Sequence, residues 1–435
     1  MNILVVGSGA REHAIVWKCL ASEFVDKIFC CAPENAGIAM IAEIAKCEGK
    51  PLKVNDFEGL ANFAQKHLGR EGVTLVGPEK PLAEGIVDYF KERGLLILGP
   101  SKQAALIESS KVFAKNFMTA FGIPTAPYKI FAFAENAKKY VREIQPPYVI
   151  KADGLASGKG VVIAKTIEEA DQAIDKLMAT AAGKLILIEE FLGGWECSFT
   201  VLSDGENFLP LLPARDYKLL GIGSEEQSRQ MTGGMGGICP HPRMTQELFD
   251  EIIAQIIIPI ISAMRNVWGH PFIGFLYAGL MITPEGPKVL EFNARLGDPE
   301  AQVILPLLET DFVKLCIAAA RGRLDEIEDP VLWSDDFTVG VVLASRGYPN
   351  EPEIGYRIHG LEEAAKEGVL EFHAGTALNE QGNFITSGGR ILSVVGRGET
   401  VQKARAMAYR AVEKIRFGSK KYQKQIYRED IALNI

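Results

Sequence analysis

Short apolar runs alternate with amphipathic segments over the first hundred residues, and this alternation restricts the fold more than any other feature of the sequence. The apolar runs predict buried strands at Ile3–Val6, Lys27–Cys31, Thr74–Val76 and Leu95–Leu98. The amphipathic segments predict helices at Glu12–Leu20, Phe57–His67 and Leu82–Arg93. This order is typical of an open parallel sheet with helices on both faces, whose ligands bind at the carboxyl ends of the strands.

The pattern changes twice along the rest of the chain, so we expect three domains. They are an N-terminal parallel-sheet domain (1–103), a second α/β domain (104–322) with a small subdomain at about 124–192, and a C-terminal α+β domain (323–435). The further predicted elements are helices at Lys111–Phe121, Ile167–Met178 and around Leu248–Val267, and strands at Tyr148–Lys151, Val161–Ala164, Leu185–Glu190, Val339–Ala344, Val369–His373 and Arg390–Val395. A closing helix has one apolar face, formed by Val401, Ala404, Ala408, Val412 and Ile415.

Charge and cysteine content exclude several classes of protein. The net charge of −8 argues against broad binding to nucleic acids or anionic membranes, although a local basic pocket for phosphate remains open. The seven cysteines are odd in number and form no C-x-x-C pair, so neither a disulfide framework nor a zinc site is predicted. The start of the sequence lacks a signal peptide pattern, and the apolar stretch Ile252–Ile261 is too short to span a bilayer. We therefore expect a cytoplasmic protein.

The turn Gly7-x-Gly9 lies between the first predicted strand and helix. Backbone amides at a helix N-terminus favour a phosphate, and Arg11 adds positive charge. A dinucleotide fingerprint requires a third small residue where Glu12 stands, so NAD binding is disfavoured. The turn predicts a site for a small phosphorylated ligand, with a tight turn that binds nothing as the alternative.

A second glycine-rich loop joins two predicted strands between Lys151 and Gly160. It is not a P-loop, because three residues rather than four separate Gly154 from Gly158, and Gly160 follows Lys159 where Ser or Thr is required. Such a loop can cover a triphosphate with its backbone amides, while Lys151 at the strand end neutralises charge. Many glycine-rich hairpins bind no ligand, so this loop alone is a moderate indication.

The strand around residues 290–295 carries the sharpest candidate site. Side chains alternate along a strand, so Glu291, Asn293 and Arg295 share one face. A carboxylate beside an amide oxygen suits Mg²⁺, and the guanidinium is placed to hold an oxyanion. The segment 189–192 followed by two glycines could present an apolar wall and backbone groups to a purine, with Glu196 near a ribose, although a turn with exposed acids explains it equally well.

Taken together, these motifs resemble the ATP-grasp superfamily of carboxylate–amine ligases, and more narrowly the phosphoribosylamine–glycine ligase family. The resemblance extends over essentially the whole chain. It rests on the ordered motifs GSGAREHA, GPEKPL, VIKADGLASGKGV, IEEFL, TGGMG, GFLYAGLM, EFNARLGDPE, FHAGT and GGR. It implies that the N-terminal domain precedes an ATP-grasp domain whose subdomain 124–192 is a lid.

The resemblance also implies the chemistry and the residues that perform it. The family joins glycine to 5-phosphoribosylamine through glycyl phosphate, with ATP as co-substrate and Mg²⁺, or Mn²⁺, as the metal. The ATP-binding set would be Lys111, Lys151, Gly154, Ser157, Gly158, Lys159, Gly160, Glu189, Glu190, Phe191, Leu192 and Glu196. The metal ligands would be Glu291 and Asn293, and the catalytic residues Arg295, Lys151 and Asp216. The substrate-binding set would be Gly9, Arg11, Asn35, Gly77, Pro78, Glu79, Gly297, Asp298, Gly388, Gly389 and Arg390.

The sequence departs from the family pattern at a few positions, and other functions remain as alternatives. Ala10 stands where the family commonly has Gly, Tyr217 where it usually has His and Met231 where it has Asn, and the segment between Lys218 and Met231 also differs, so the resemblance implies less about the glycine site than about the ATP site. The alternatives, in descending order, are an ATP-grasp ligase for another acid or amine, a catalytically silent nucleotide-binding protein, and an NAD-dependent dehydrogenase. The expected partners are small molecules, without nucleic acid or membrane, and the expected state is a monomer or weak homodimer.

Overall fold

The N-terminal sheet follows the predicted parallel order. The computed structural model describes residues 1–31, 34–155, 160–221, 230–419, 422–423 and 425–433. Its first strands are β1 Asn2–Val6, β2 Lys27–Cys30, β3 Glu43–Ile44, β4 Lys46–Cys47, β5 Lys50–Pro51, β6 Val73–Val76 and β7 Ile97–Leu98. Five of them form a sheet in the order β3-β2-β1-β6-β7 in which every pair is parallel, and β4 and β5 form a separate hairpin. The predicted open parallel sheet is confirmed.

The helices of this domain pack on both faces of the sheet, with one difference from prediction. They are α1 Ala10–Cys19, α2 Ala36–Ile41, α3 Phe57–His67, α4 Glu79–Glu84 and α5 Ile86–Lys91. The single helix predicted at Leu82–Arg93 is wrong, since two short helices meet at Gly85. Gly85 has a φ of +98°, which is the left-handed conformation that ends helices and that glycine adopts without a steric cost.

A small antiparallel sheet occupies the region expected to be a lid. Its elements, with the two helices that precede it, are α6 Leu106–Ser109, α7 Lys111–Ala120, β8 Tyr128–Phe131, α8 Ala134–Val141, β9 Tyr148–Ala152, β10 Val161–Ala164, α9 Ile167–Met178 and β11 Ile186–Glu190. The strand order is β10-β9-β11-β8. Both α8 and α9 contribute buried residues to the core of this layer, so it has its own hydrophobic centre. The carboxyl ends of β9 and β11 carry Lys151 and Glu189.

A second antiparallel sheet carries the strand of the candidate metal site. Its region contains β12 Trp195–Asp204, β13 Phe208–Pro210, β14 Arg215–Asp216, β15 Gly236–Cys239, α10 Gln246–Ile252, α11 Ile258–Asn266, β16 Ile273–Thr283 and β17 Gly286–Asn293. The sheet order is β13-β12-β16-β17, and Tyr277 of β16 lies opposite Asn293 of β17. The predicted long helix at Leu248–Val267 is interrupted, because a π-helical turn at Ile253–Ile257 separates α10 from α11.

The C-terminal sheet includes two strands from the central region. The remaining elements are α12 Glu300–Ile304, α13 Phe312–Ala320, β18 Phe337–Ser345, β19 Ile358–His359, α14 Leu361–Ala365, β20 Leu370–His373, β21 Thr376–Leu378, β22 Phe384–Thr386, β23 Arg390–Gly398, α15 Val401–Val412, β24 Arg416–Ser419, β25 Tyr422–Gln423 and β26 Gln425–Ile426. The main sheet runs β14-β15-β18-β23-β20, with β26 paired to β18. This pairing fixes β14 and β15 against the C-terminal region.

The last helix, α15, packs with its predicted apolar face against the C-terminal sheet. All five residues of that face are buried in the core shared by β18, β23 and α15. The mixed α/β architecture predicted from the sequence is therefore confirmed. Among the described residues, we find no helix with the length and apolarity needed to cross a bilayer.

Candidate functional site

The N-terminal turn is filled by a buried carboxylate of its own helix. Glu12 is 2% exposed, and its two oxygens accept hydrogen bonds from the Gly9 amide at 2.5 Å and from Arg11 Nε at 2.6 Å. A Cβ on Gly77 would lie only 1.9 Å from Glu12 Oε1, and one on Gly7 would also clash with this side chain. The carboxylate therefore fills the space between the ends of β1 and β6.

This turn lies directly against the loop that follows β17. Arg11 donates from Nη1 to the Leu296 carbonyl at 3.2 Å, and a Cβ on Gly9 would approach Asp298 to 3.6 Å. Pro78 and Glu79 begin α4 at the end of β6, beside the same turn. The structure thus brings Gly9, Arg11 and residues 77–79 together with Gly297 and Asp298, as the proposed substrate-binding set requires.

Arg295 lies at the centre of an ion-pair network between the N-terminal domain and β17. Its Nη2 lies 3.0 Å from Glu108 and donates to Asn293 Oδ1 at 3.1 Å, and its Nε lies 3.5 Å from Glu79. Burial alone would raise the pKa of Glu79, but the guanidiniums of Arg295 and Arg11 outweigh it and lower that pKa. Burial dominates at Glu108 and raises its pKa. The network fixes the guanidinium beside the candidate metal ligand Asn293.

Arg390 of β23 joins three segments at the opposite wall. Its Nη1 donates to the carbonyls of Gly233 at 2.6 Å and Asp298 at 2.8 Å, and its Nη2 lies 3.0 Å from Asp298 Oδ2. Burial would raise the pKa of Asp298, but Arg390 and Arg11 lower it. Gly388 and Gly389 precede Arg390 and bond through their carbonyls to the Ser345 side chain and backbone. The C-terminal domain therefore reaches the site through Arg390.

Asp216 and Lys218 lie between these two networks and β17. Asp216 Oδ1 is buried and has no hydrogen-bond partner among the described residues. Burial, together with the charge of Glu300, raises the pKa of Asp216 well above its usual range. Lys218 Nζ lies 3.3 Å from Glu291 and 3.6 Å from Glu196. Burial disfavours its charge, but these carboxylates outweigh burial and raise the pKa of Lys218.

Lys111 and Lys151 line the side of the site next to the glycine-rich loop. Lys111 Nζ donates to the Gly154 carbonyl at 3.0 Å, at the start of the glycine-rich loop. Lys151 Nζ donates to the Leu290 carbonyl at 3.0 Å and pairs with Glu189 at 3.0 Å. Lys111, Lys151 and Lys218 all act electrostatically on Glu291. Gly160 directly precedes β10, whereas Ser157, Gly158 and Lys159 lie outside the described residues.

In the segment predicted to line a purine, one side chain is buried and the others are exposed or half-buried. Glu189 is 2% exposed and points to the lysines rather than to an open surface. Glu190 and Phe191 are exposed, and Leu192 and Glu196 are half-buried. The side chains open to a ligand are therefore those after the end of β11.

Glu291 and Asn293 have the donor chemistry of a magnesium site. The ammonium of Lys218, opposed by burial, lowers the pKa of Glu291 to about 2, so its carboxylate is ionised at neutral pH. Asn293 adds an amide oxygen two residues away on the same strand. Two such oxygens fit Mg²⁺ when phosphate oxygens and water complete its shell. Within the described part of the chain, no cluster of three or more His, Cys, Asp or Glu side chains could hold a metal without such help.

Asn35 is placed near the site, but its side chain has a structural role. Its Nδ2 donates to the carbonyls of Ser8 and His373, at 2.8 and 2.7 Å, and its Oδ1 accepts the Ile38 amide at the start of α2. The residue is 1% exposed. Asn35 therefore links the N-terminal turn to β20 of the C-terminal sheet.

Comparison with known families assigns most of the chain. The models of the phosphoribosylglycinamide synthetase N domain, ATP-grasp (A) domain and C domain match residues 1–108, 109–301 and 338–434. This chain belongs to the phosphoribosylglycinamide synthetase family. Relatives named phosphoribosylamine–glycine ligase are similar over almost their full length. The protein from Pseudomonas aeruginosa is 46% identical over 99% of both chains, and that from Caldanaerobacter subterraneus is 45% identical over 98% of this chain and 99% of its own.

Solved structures support the same assignment. The crystal structure of phosphoribosylamine–glycine ligase from Thermotoga maritima has a TM-score of 0.80 and 34% identity, covering 99% of this chain and all of its own. Biotin carboxylase from Campylobacter jejuni has a TM-score of 0.70 at 14% identity, covering 98% of this chain and 92% of its own. The second likeness shows the fold alone.

Several residues of the site were not found by sequence reasoning. Lys115 is buried and pairs with Glu189, and its position one helical turn after Lys111 was the available signal. Lys218 lies two residues after Asp216, on the same side of an extended segment. Glu108, in a short helix without a recognisable motif, gave no signal.

Tyr217, which stands where the family usually has His, does not face the site. It contacts the C-terminal region instead. Its hydroxyl accepts the Ala432 amide at 2.9 Å, and its ring packs between the guanidiniums of Arg215 and Arg428. Asp216 and Lys218 on either side point the other way, because side chains alternate along the extended segment that continues from β14. Met231 pairs with Leu219 next to this segment.

Proposed function

We propose that this chain joins glycine to 5-phosphoribosylamine at the expense of ATP, giving glycinamide ribonucleotide, ADP and phosphate. This reaction is the second step of de novo purine biosynthesis. The observation that carries the proposal is the meeting of two sets of residues at β17. A lysine-lined wall with Glu291 lies on one side, and the Arg11–Asp298–Arg390 wall, next to the N-terminal turn, lies on the other.

ATP would bind on the lysine-lined wall. Lys111 and Lys151 would contact its phosphates, and the loop from Gly154 to Gly160 would cover them. The exposed residues after β11, with Glu196, would contact the adenosine. Glu291 and Asn293 would hold Mg²⁺, with Mn²⁺ as an alternative, and the metal would neutralise phosphate charge when it is bound.

Glycine must first become an electrophile, because a free carboxylate resists attack by an amine. One carboxylate oxygen of glycine attacks the γ-phosphorus of ATP, which releases ADP and leaves glycyl phosphate. Arg295, held by Glu108 and Glu79, would hold the carboxylate in line, and Lys151 would stabilise the charge on the transferred phosphoryl group. Asp216 would orient the amino group of glycine from β14.

The acceptor amine then attacks the carbonyl carbon, and phosphate leaves with the bridging oxygen. The ribose phosphate would lie against Gly9, Arg11 and residues 77–79, and Asp298 and Arg390 would close the other side. Asn35 would hold the N-terminal turn in position through its hydrogen bond to the Ser8 carbonyl. No protein nucleophile is needed, and the lid would exclude water that hydrolyses the acyl phosphate.

Several broader properties belong to the same proposal. We place the enzyme in the cytoplasm, as a monomer or weak homodimer that acts on small molecules without nucleic acid or membrane. We keep the domain boundaries 1–103, 104–322 and 323–435, with the lid at about 124–192. The sheet that joins β14 and β15 to β18 gives the last two domains a common interface.

An assay of ADP release tests the proposal. The protein is incubated with ATP, Mg²⁺ and glycine, with and without 5-phosphoribosylamine made in place from ribose 5-phosphate and ammonia. We expect ADP release to require both substrates, with an equal amount of glycinamide ribonucleotide detected by mass. ATP turnover without this product would contradict the substrate assignment and indicate another acid or amine, and no turnover with any substrate would contradict the ligase itself.

A further inference from the structure

One buried carboxylate in the lid is shared by two lysines. Glu189 Oε2 lies 3.0 Å from Lys151 Nζ and 3.0 Å from Lys115 Nζ. Glu189 and Lys115 are each 2% exposed, and Lys151 is 5% exposed. Water therefore screens these charges weakly, and each pair interacts more strongly than it would at the surface.

Lys115 is held in this position from a second side. Its Nζ donates to Thr125 Oγ1 at 2.6 Å, and the Thr125 hydroxyl donates to the Val289 carbonyl on β17 at 2.6 Å. Burial lowers the pKa of Lys115 to about 8, and the opposing charge of Glu189 keeps it from falling further. The ammonium form therefore dominates at neutral pH, and Lys115 is tied to both the lid and β17.

Because Lys115 and Lys151 share the Glu189 carboxylate, the net positive charge available to a bound phosphate depends on both lysines. With both lysines protonated and Glu189 ionised, the three groups carry one net positive charge. Without Lys115, the carboxylate would pair with Lys151 alone, and the net charge beside the phosphates would fall to zero. The electrostatic attraction for a triphosphate would fall with it.

We infer that Lys115 is a positioning residue for ATP binding: it shares the charge of Glu189, so that Lys151 keeps its positive charge and its one remaining N–H group for the phosphates. This role rests on the proposed ATP site. Lys115 itself has no contact with the substrate, because its ammonium is enclosed by Glu189, Thr125 and the Tyr128 ring. Lys115 would therefore affect ATP binding only through the Glu189 carboxylate.

Equilibrium binding of ATP and of adenosine to four forms of the full chain tests the inference. These are the wild type, Lys115→Met, the double variant Lys115→Met/Glu189→Gln, and Lys138→Met as a matched control. Lys138 also belongs to a lysine–carboxylate pair of the lid, at 2.7 Å from Asp175, but this pair lies at the surface. Calorimetry gives the dissociation constants, and thermal unfolding shows that each variant is folded.

We expect Lys115→Met to weaken ATP binding at least tenfold and adenosine binding less than twofold, because adenosine has no phosphates. The double variant removes the carboxylate as well, restores one net positive charge, and should recover ATP affinity to within about threefold of wild type. The control should match wild type. In turnover, KM for ATP should rise while KM for glycine stays constant.

Two results would overturn the inference. One is an equal loss for ATP and adenosine in Lys115→Met, which would indicate a purely structural role. The other is a double variant that binds ATP as weakly as Lys115→Met, or more weakly. If Lys115→Met does not fold, the double variant decides alone, since a loss above tenfold contradicts the inference and a loss below threefold supports it. A wild type that binds no ATP would instead contradict the proposed function.

Discussion

Glu12 packs tightly into the N-terminal turn, so we expect even the smallest substitution there, Gly77→Ala, to lower the free energy of unfolding strongly. The new Cβ would lie 1.9 Å from Glu12 Oε1, whereas real Cβ atoms essentially never come closer than 3.0 Å to another heavy atom. Gly77 has no positive φ, so alanine strains no backbone angle there. The whole effect must therefore come from displacement of the carboxylate, by about 1 Å or more.

The cost follows from the hydrogen bonds that this displacement breaks. Glu12 accepts the Gly9 amide at 2.5 Å and Arg11 Nε at 2.6 Å, and a shift of about 1 Å takes both beyond hydrogen-bond range. Hydrogen bonds to a charged group contribute about 1.5–3 kcal/mol each. Partial relaxation lowers their sum, so we expect a loss of about 3 kcal/mol in the free energy of unfolding.

Urea unfolding and calorimetric binding of glycinamide ribonucleotide measure the two consequences. We expect Gly77→Ala to lose both stability and at least tenfold in ribonucleotide affinity, with ATP binding unchanged. Gly193→Ala is the matched control, because a Cβ there meets no atom within 4 Å and the residue has no positive φ. If Gly77→Ala were as stable as this control, within about 0.5 kcal/mol, and bound the ribonucleotide as well, Glu12 would not be locked in the turn.

Three further substitutions test other parts of the account. Glu291→Gln removes an anionic ligand, so turnover should fall at least tenfold and the Mg²⁺ requirement should rise; an unchanged Mg²⁺ titration would contradict the metal assignment. Burial raises the pKa of Glu371 from 4.5 to about 7, so the folded state keeps a proton that the unfolded state loses, and stability falls as pH rises through this window. Glu371→Gln should therefore stabilise the protein by about 1–2 kcal/mol at about pH 8 and not at about pH 4, as urea unfolding at each pH would show. Tyr217→Phe should lose about 1 kcal/mol of stability through the Ala432 amide and change kcat/KM for glycine less than twofold, and a larger kinetic change would place Tyr217 in the site.

Local sequence patterns predicted most of the regular elements because those elements depend on short-range periodicity. The helices at Phe57–His67 and Ile167–Met178 and the strand at Val161–Ala164 have the predicted bounds. The prediction of one helix at Leu82–Arg93 was wrong, because the left-handed conformation of Gly85 divides it in two although the apolar periodicity continues. The prediction of one long helix also failed at Ile253–Ile257, where the apolar spacing continues through a π-helical turn.

The candidate site was predicted where a motif places several functional side chains on one strand. Glu291 and Asn293 come together in this way at the end of β17, as alternation along a strand predicts. Arg295 lies just beyond the strand and reaches the same site by donating to Asn293 Oδ1. Partners from distant segments were not predictable, since nothing local in the sequence indicates that Arg390 bonds to Gly233, or that Glu12 fills the space beside Gly77. Glu189 was expected to line a purine, but a buried lysine four residues after Lys111 is among its partners.

In the proposed reaction, glycine is activated as an acyl phosphate in the site around β17. Transfer of ¹⁸O from carboxyl-labelled glycine to inorganic phosphate reports this activation, by mass analysis of the phosphate released in a complete reaction. We predict one labelled oxygen in each phosphate, because the bridging oxygen comes from the glycine carboxylate and leaves with the phosphorus. Phosphate without label, formed together with glycinamide ribonucleotide, would contradict it.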